Sequence, residues 1–307
     1  MIFSIFPADG VATLKAAYII NRVRVYYSVT KPRVWYLLAY TAFGGYIAGS
    51  GAAIDWVKAL IATLSVVFAS AGSEAIANFI EKDIDALMER TKNRPLPSGK
   101  IKPEWKALIL GFILTGLGAY IAYSINLLAL IFILIGVLDY LVIYIMLSKK
   151  KTPLNIILGS VAGGAPTMVG YVSASNQITL DSIILTGVVV LWIPSHIWSL
   201  ALRYREDYMR AGIPMLPVVI SEDKAIRCIS STAILLTIFS ISVYFINSLK
   251  YGYIYLASAT ISGLILLYLA LKLIYAPSKK LAWKMFKYTS PHLAVIFTAI
   301  IIESILA

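Results

Sequence analysis

Long apolar stretches recur along the whole chain and are separated by short polar segments. They cover residues 34–53, 58–80, 104–123, 126–147, 154–174, 179–202, 226–247, 251–274 and 289–306. A stretch of about 18 or more apolar residues is long enough for a helix to cross the hydrocarbon core of a bilayer. Strands of a membrane barrel would alternate polar and apolar residues, and these stretches do not. The pattern therefore predicts an all-α integral membrane protein, a bundle of nine transmembrane helices.

The basic residues are confined to alternate connections between these stretches. Of the 27 Lys and Arg residues, all except Lys58 and Lys250 fall in the N-terminal segment 1–33, in every second connection, or within a few residues of it at the adjoining end of a span. Lys and Arg collect on the cytoplasmic side of membrane proteins. The distribution therefore predicts a cytoplasmic N-terminus and an outside C-terminus. A count wrong by one span would destroy this alternation.

Composition supports a multi-pass membrane protein rather than a soluble one. Only 14% of the residues are charged and 60% are hydrophobic, whereas soluble domains carry about 25% charged residues. The net charge of +12 is explained by the cytoplasmic loops, so no nucleic acid partner is predicted. One Cys and two His residues exclude an internal disulfide and a site built from many His ligands. No transit segment is visible, which favours a plasma membrane.

Two long connections, 81–103 and 203–225, mix carboxylates with Arg and Lys, and they are predicted to form active-site loops at the cytoplasmic face. Residues 1–33 are expected to form a cytoplasmic lead-in, and residues 1–307 a single domain.

In the first loop region Asn78, Glu81 and Asp85 are spaced three and four apart, so they share one helical face. Oxygen ligands of this kind suit Mg²⁺ completed by phosphate and water. The alternative is a solvated, charge-balanced loop.

Basic residues follow the carboxylates at a spacing that suits a phosphate. Arg90 and Arg94 offer the forked guanidinium that binds phosphate oxygens. Asp83 lies about 200° around the helix from Glu81 by the helical period, and it remains a candidate catalytic carboxylate. The lysines that begin at Lys149 are further phosphate candidates, although a plain cytoplasmic cluster explains them equally well.

The second loop region begins with a histidine inside a predicted span. His196, Arg203 and Asp207 follow one another at intervals of seven and four residues, along one helical stripe. An ionisable side chain within a membrane span is costly and usually functional. The alternative is a hydrogen-bonded core histidine. Glu74 also lies in a predicted span and is expected to face the interior of the bundle.

Taken together, these segments resemble the UbiA-type intramembrane prenyltransferases, and among them the branch that modifies heme. The resemblance rests on residues 30–34, 81–99, 149–155 with 163–166, and 194–217, and it extends over about 190 residues in the same order. Three positions depart from the pattern of the wider family. Ala77 replaces a frequent Asn and Glu81 replaces the usual Asp. Tyr204 replaces an Asp found in relatives that act on quinone precursors.

The resemblance implies both an activity and a set of site residues. It implies a bundle around a central cavity, a Mg²⁺ requirement, a farnesyl or longer polyprenyl diphosphate donor, and heme B as the acceptor substrate. Transfer to a vinyl group, with addition of water, would give heme O. The implied metal ligands are Asn78, Glu81 and Asp85. The candidate catalytic residues are Asn78, Glu81, Asp83, Asp85, His196, Glu206 and Asp207. The candidate substrate-binding residues are Lys31, Arg33, Arg90, Arg94, Tyr144, Lys149, Arg203 and Arg205.

Other functions remain open at the level of sequence. A related prenyltransferase could use a quinone-precursor ring or a glycerol lipid as acceptor. A secondary transporter would place its charges near the middle of the membrane, whereas here they cluster at the cytoplasmic ends of spans. A heme-carrying subunit with two axial histidines would need more buried histidines than this chain has. A partnership with heme A synthase or a terminal oxidase assembly is also left open.

Overall fold

All regular secondary structure in this protein is helical. The computed structural model describes residues 8–51, 53–247 and 250–306, with side chains described from residue 17 onward. Throughout these ranges the chain forms helices and turns and no strand, which confirms the all-α prediction. In chain order the helices are α1 (Ala8–Val29), α2 (Pro32–Gly49), α3 (Trp56–Ile80), α4 (Lys82–Leu87), α5 (Trp105–Ile125), α6 (Leu127–Leu138), α7 (Asn155–Leu158), α8 (Ser160–Ser175), α9 (Leu180–Arg203), α10 (Arg205–Arg210), α11 (Leu216–Val219), α12 (Glu222–Ile246), α13 (Tyr253–Tyr275) and α14 (Lys279–Leu306).

Eight helical segments in these ranges are long and apolar enough to cross a membrane. They are α3, α5, α6 with its continuation to Ser148, α7 with α8, α9, α12, α13 and α14. The helix that matches the first predicted span, α2, is 18 residues long and packs against α3, α8 and α14. It lies outside the eight because Pro32, Arg33 and several Tyr and Gly residues lower its mean hydropathy.

Small residues bring α2 and α8 into direct backbone contact. A Cβ atom on Gly170 of α8 would overlap the carbonyl oxygen of Ala42, and one on Gly49 of α2 would lie 2.6 Å from the carbonyl oxygen of Tyr171. Glycine at such positions lets membrane helices approach closely. These two helices therefore form a tight pair in the bundle.

Several helices break or change direction at the same end of the bundle. The chain turns between α1 and α2 at Lys31, and α3 ends at Ile80 and gives way to α4 through Glu81. The amide of Asp85 still donates to the carbonyl of Glu81 at 2.8 Å, so the helical direction continues. After α6 the chain runs on as a π-helical segment, Asp139–Ser148, which ends beside Lys149. Helix breaks of this kind often accompany functional sites, and here they bring charged residues together.

Both long connections contain short helices and turns in place of irregular loop. The first contains α4 and a series of turns to Ser98, and the second contains α10 and α11. Most of the N-terminal lead-in forms α1, whereas residues 1–7 of that prediction lie outside the described residues. Short helices in these connections hold polar side chains in fixed positions.

Candidate active site

A cavity of about 1000 Å³ lies among α2, α3, α6, α8, α9 and α14. Its walls differ from one side to the other. Toward α2, α3, α6 and α8 much of the lining is apolar: Leu38, Val66, Ala69, Phe132, Ile133, Val137 and Val169. Toward α9 and α14 it is mostly aromatic: Trp192, His196, Tyr204, Trp283 and Phe286. We call these the aliphatic arm and the aromatic arm.

His196 occupies the centre of the aromatic arm. Its imidazole is stacked between Trp192 and Phe286, with ring centroids 4.2 and 4.3 Å away. Its Nδ1 atom lies 2.6 Å from the hydroxyl oxygen of Thr289, and the indole nitrogen of Trp192 donates to the carbonyl of Thr289 at 2.8 Å. This histidine is hydrogen-bonded, as the core alternative expects, and it also lines the cavity. Its functional role remains a prediction.

Three ion pairs with buried carboxylates lie in or next to the cavity wall, and we call this group the charged neck. Lys149 Nζ lies 2.5 Å from Glu81 Oε1, Arg94 Nη1 lies 2.7 Å from Asp85 Oδ2, and Lys31 Nζ lies 2.7 Å from Glu74 Oε2. Arg94, Lys31 and Glu74 line the cavity directly. Glu81, Asp85 and Lys149 are outside the lining, and Lys149 Nζ lies 5.2 Å from the ring centre of Tyr144, which lines the cavity.

Glu81 and Lys149 each stabilise the charged form of the other, as the directions of their pKa shifts indicate. Burial alone raises the pKa of Glu81, but the positive charges of Lys149 and Lys31 lower it below its usual range. Burial alone lowers the pKa of Lys149, but the negative charge of Glu81 raises it above its usual range. The pair therefore enters any substrate complex with both charges present.

The carboxylates of the first motif do not share one environment. Glu81 and Asp85 are buried, whereas Asp83 is exposed and points away from the neck. The amide nitrogen of Asn78 donates to the carbonyls of Val29 and Glu74, at 2.6 and 3.0 Å. A metal role for Asn78 would therefore fall to its side-chain oxygen.

The second loop region contacts the first through Asp207. This buried carboxylate accepts from the backbone amide of Arg90 at 3.2 Å and from Arg210 at 2.8 Å. The guanidinium of Arg90 lies 5.5 Å from the ring centre of Tyr204, and both residues line the cavity. Asp207 thus joins the two loop regions and fixes the backbone that carries Arg90.

We expect Asp207→Ala to loosen the first loop at Arg90. The lost bond has a charged acceptor, so the Arg90 amide should exchange its hydrogen about tenfold faster or more. Hydrogen exchange of peptides covering residues 88–95 measures this. Glu206→Ala is the matched control, because Glu206 pairs only with Lys279 in the described part of the chain, and it should leave the exchange unchanged. Unchanged exchange in Asp207→Ala would contradict the assigned contact.

The remaining predicted site residues occupy three kinds of position. Arg33 lines the cavity and is exposed. Arg203 and Glu206 are exposed and lie outside the cavity lining. Arg205 donates to the carbonyls of Val218 and Ile220, each at 3.4 Å, and so holds α11. Their proposed roles in substrate binding or catalysis remain predictions.

The structure also adds residues that sequence reasoning missed. Trp192 stands four residues before His196, and this helical spacing could have identified it. Phe286 and Thr289 come from α14, about 90 residues further along the chain, so no local pattern connects them to His196. The aromatic arm is consequently visible only in the folded chain.

Comparisons with known proteins place this chain in one family. The family model described as UbiA prenyltransferase family matches residues 38–297. A protein from Thermoplasma volcanium named protoheme IX farnesyltransferase is 41% identical over 286 residues, which cover 92% of this chain and 98% of that protein.

Solved structures of related fold are more distant in sequence. One, described as concerning digeranylgeranylglyceryl phosphate synthase in membranes, has a TM-score of 0.76 at 24% identity and covers 94% of this chain and 100% of its own. Another, a UbiA homolog from Archaeoglobus fulgidus bound to GPP and Mg²⁺, has a TM-score of 0.67 at 15% identity, with 90% and 99% coverage. At these identities the likeness shows the fold alone.

Proposed function

This chain belongs to the UbiA prenyltransferase family, and from this premise we propose that it transfers a farnesyl group from farnesyl diphosphate to heme B. The observation that carries the proposal is one cavity that combines an aliphatic arm, an aromatic arm and the charged neck in and next to its wall. Such a cavity has space for an isoprenoid chain, a diphosphate and a flat aromatic acceptor. The name of the Thermoplasma volcanium relative supports heme as the acceptor.

The charged neck fits a Mg²⁺–diphosphate group. Among the described residues no three His, Cys, Asp or Glu side chains come together, so the protein by itself offers no complete metal cage. Glu81 and Asp85 are two buried carboxylates next to cations, and Mg²⁺ commonly binds one or two carboxylates plus phosphate oxygens and water. Together with the Asn78 side-chain oxygen they would hold the ion, which would stabilise the negative charge of the leaving diphosphate.

In the proposed reaction the basic residues of the neck bind the diphosphate. Lys31, Arg90 and Arg94 line the cavity, and Lys149 adds a fourth charge behind Tyr144. Their positive charge stabilises the oxygen that leaves when the allylic C–O bond breaks and takes the bonding electron pair. The aliphatic arm holds the isoprenoid chain away from water, so the allylic cation is not simply hydrolysed.

The acceptor then reacts at one vinyl group. The terminal vinyl carbon forms the new bond to C1 of the farnesyl group, and a water oxygen adds to the inner vinyl carbon. One proton is released, and the product is the hydroxyethyl-farnesyl heme, heme O. Of the three groups predicted to assist, His196 lines the cavity and is therefore the best placed to touch heme or to accept the proton. Glu206 pairs instead with Lys279 at the start of α14, and Asp207 accepts from the backbone amide of Arg90.

We further propose that the chain crosses the plasma membrane nine times. In this proposal α2 is the ninth span, added to the eight apolar helical segments. It packs among α3, α8 and α14. One end of the bundle carries most of the basic residues. Ion pairs at that end join Lys31 with Glu74, Lys149 with Glu81, and Glu206 with Lys279. By the positive-inside rule this end, with the charged neck, faces the cytoplasm.

Incubating the purified protein with heme B, farnesyl diphosphate and Mg²⁺ tests the proposal. We expect extracted heme to gain the mass of one farnesyl group plus one water. Omission of Mg²⁺, with a chelator present, should abolish the product. Unmodified heme, from protein shown to be folded, would contradict the proposal for a farnesyl donor. Parallel reactions with longer polyprenyl diphosphates, quinone-precursor rings and glycerol lipids would then identify the donor and acceptor.

A further inference from the structure

The elbow between α1 and α2 carries a lysine into the cavity wall. Lys31 has a φ of 48° and a ψ of 64°, a left-handed conformation that residues with a side chain rarely adopt. Pro32 follows as the first residue of α2 and fixes where that helix begins. Backbone of this kind persists only where the surrounding structure holds it, so something must hold Lys31.

Two side chains of α3 hold this elbow. The amide nitrogen of Asn78 donates to the carbonyl of Val29 at 2.6 Å, and Glu74 pairs with the ammonium of Lys31 at 2.7 Å. Glu74 and Asn78 stand one helical turn apart and share a face of α3. The same Asn78 nitrogen also donates to the backbone carbonyl of Glu74 at 3.0 Å. One face of α3 therefore fixes the backbone of the elbow and the direction of its lysine.

Glu74 occupies a position that is costly for a carboxylate. It belongs to an apolar membrane-crossing helix and is only 5% exposed. Carboxylates in such places need a partner and usually serve a function. Within the described ranges Lys31 is the one Lys or Arg at ion-pair distance from it. Both side chains line the cavity beside Arg94, close to the place where the neck would receive a diphosphate.

We infer that Glu74 is a positioning residue for the diphosphate of the donor, because it holds the Lys31 ammonium against the cavity wall in the position where Lys31 binds that group. The inference rests on the proposed function for the donor class, an isoprenoid diphosphate, and it does not depend on the identity of the acceptor. Glu74 itself does not touch the donor. Its effect on binding passes through Lys31.

Binding of Mg²⁺–farnesyl diphosphate to purified protein, measured by titration calorimetry without any acceptor, tests this inference. We expect Glu74→Gln and Lys31→Met each to weaken binding about tenfold, and the double variant to bind no more weakly than Lys31→Met alone. Glu74→Asp should recover part of the affinity because it retains the charge. A purely structural role for Glu74 would not produce this dependence on Lys31.

The control is Glu104→Gln, which removes a carboxylate from the surface pair with Lys82, away from the cavity. It should leave the affinity within about twofold of the original protein. Wild-type affinity in Glu74→Gln would overturn the inference. So would a further loss of affinity when Glu74→Gln is added to Lys31→Met.

Three further outcomes are distinguishable. Glu74→Gln could fail to fold because Lys31 is left without its counter-charge. In that case the double variant restores charge balance, and its affinity for farnesyl diphosphate is compared with that of Lys31→Met alone. A protein that binds farnesyl diphosphate as expected but leaves heme unmodified would contradict the proposed acceptor and leave this inference standing. Absence of farnesyl diphosphate binding in the unsubstituted protein would overturn both.

Discussion

Asp85→Asn should reduce turnover by about 100-fold or more while leaving a folded protein. Asp85 is a buried carboxylate that pairs with Arg94 at 2.7 Å, and Arg94 lines the cavity. A neutral amide of the same size cannot supply the charge that a Mg²⁺ ion needs, and it leaves Arg94 without its counter-charge. The measurement is the initial rate at which the prenylated product forms at saturating concentrations of donor and acceptor.

A matched control separates chemistry from general damage. Asp223→Asn makes the same chemical change at an exposed position in the first turn of α12, and we expect its turnover to stay near that of the unsubstituted protein. Size-exclusion chromatography in detergent establishes that both variants are folded. Activity of Asp85→Asn close to the original value would rule out Asp85 as a metal ligand.

Gly170→Ala should destabilise the bundle by about 3 kcal/mol, although it adds a single methyl group. The new Cβ atom would overlap the carbonyl oxygen of Ala42 and lie 2.8 Å from the amide nitrogen of Tyr46. Both are backbone atoms, so no side-chain rotation relieves the overlap, and α2 must move away from α8. Because Leu38 and Val169 of these helices line the aliphatic arm, the cavity should change as well.

The control for this prediction is Gly116→Ala in α5. A Cβ atom there would meet nothing within 4 Å, and alanine is favoured over glycine inside a helix by about 1 kcal/mol. The midpoint of thermal unfolding in detergent should therefore fall for Gly170→Ala and stay level or rise for Gly116→Ala. Equal midpoints for the two variants would contradict the close contact between α2 and α8.

The pattern of hydrophobic residues along the chain predicted most of the fold. A long apolar stretch forms a helix in a bilayer because its backbone groups must bond within the segment, so helix positions followed from local sequence. The first predicted span is the instructive case. Its helix, α2, is present at Pro32–Gly49 but falls outside the eight apolar segments, because Pro32, Arg33 and several Tyr and Gly residues lower its mean hydropathy. Two of these glycines, Gly45 and Gly49, contact the backbone of α8.

Motif spacing anticipated part of the candidate site. The three-and-four spacing of Asn78, Glu81 and Asp85 follows from helical periodicity, and the helical direction does continue through Glu81. The same periodicity set Asp83 apart, and that residue is exposed. The catalytic and metal-binding roles of these residues remain predictions for the experiments above.

The sequence by itself determined the long apolar helices, their order and the family, because each depends on residues within a few turns of one another or on a motif read along the chain. The predicted single stripe of His196, Arg203 and Asp207 was wrong, because α9 ends at Arg203 and the chain bends at Tyr204, which leaves Arg203 exposed and Asp207 buried.

Only the tertiary structure decided which charges pair across the neck, that Asn78 and Glu74 hold the elbow at Lys31, and that Phe286 and Thr289 complete the surroundings of His196. These contacts join helices far apart in the chain. The packing of the whole bundle sets them, and no local periodicity encodes it.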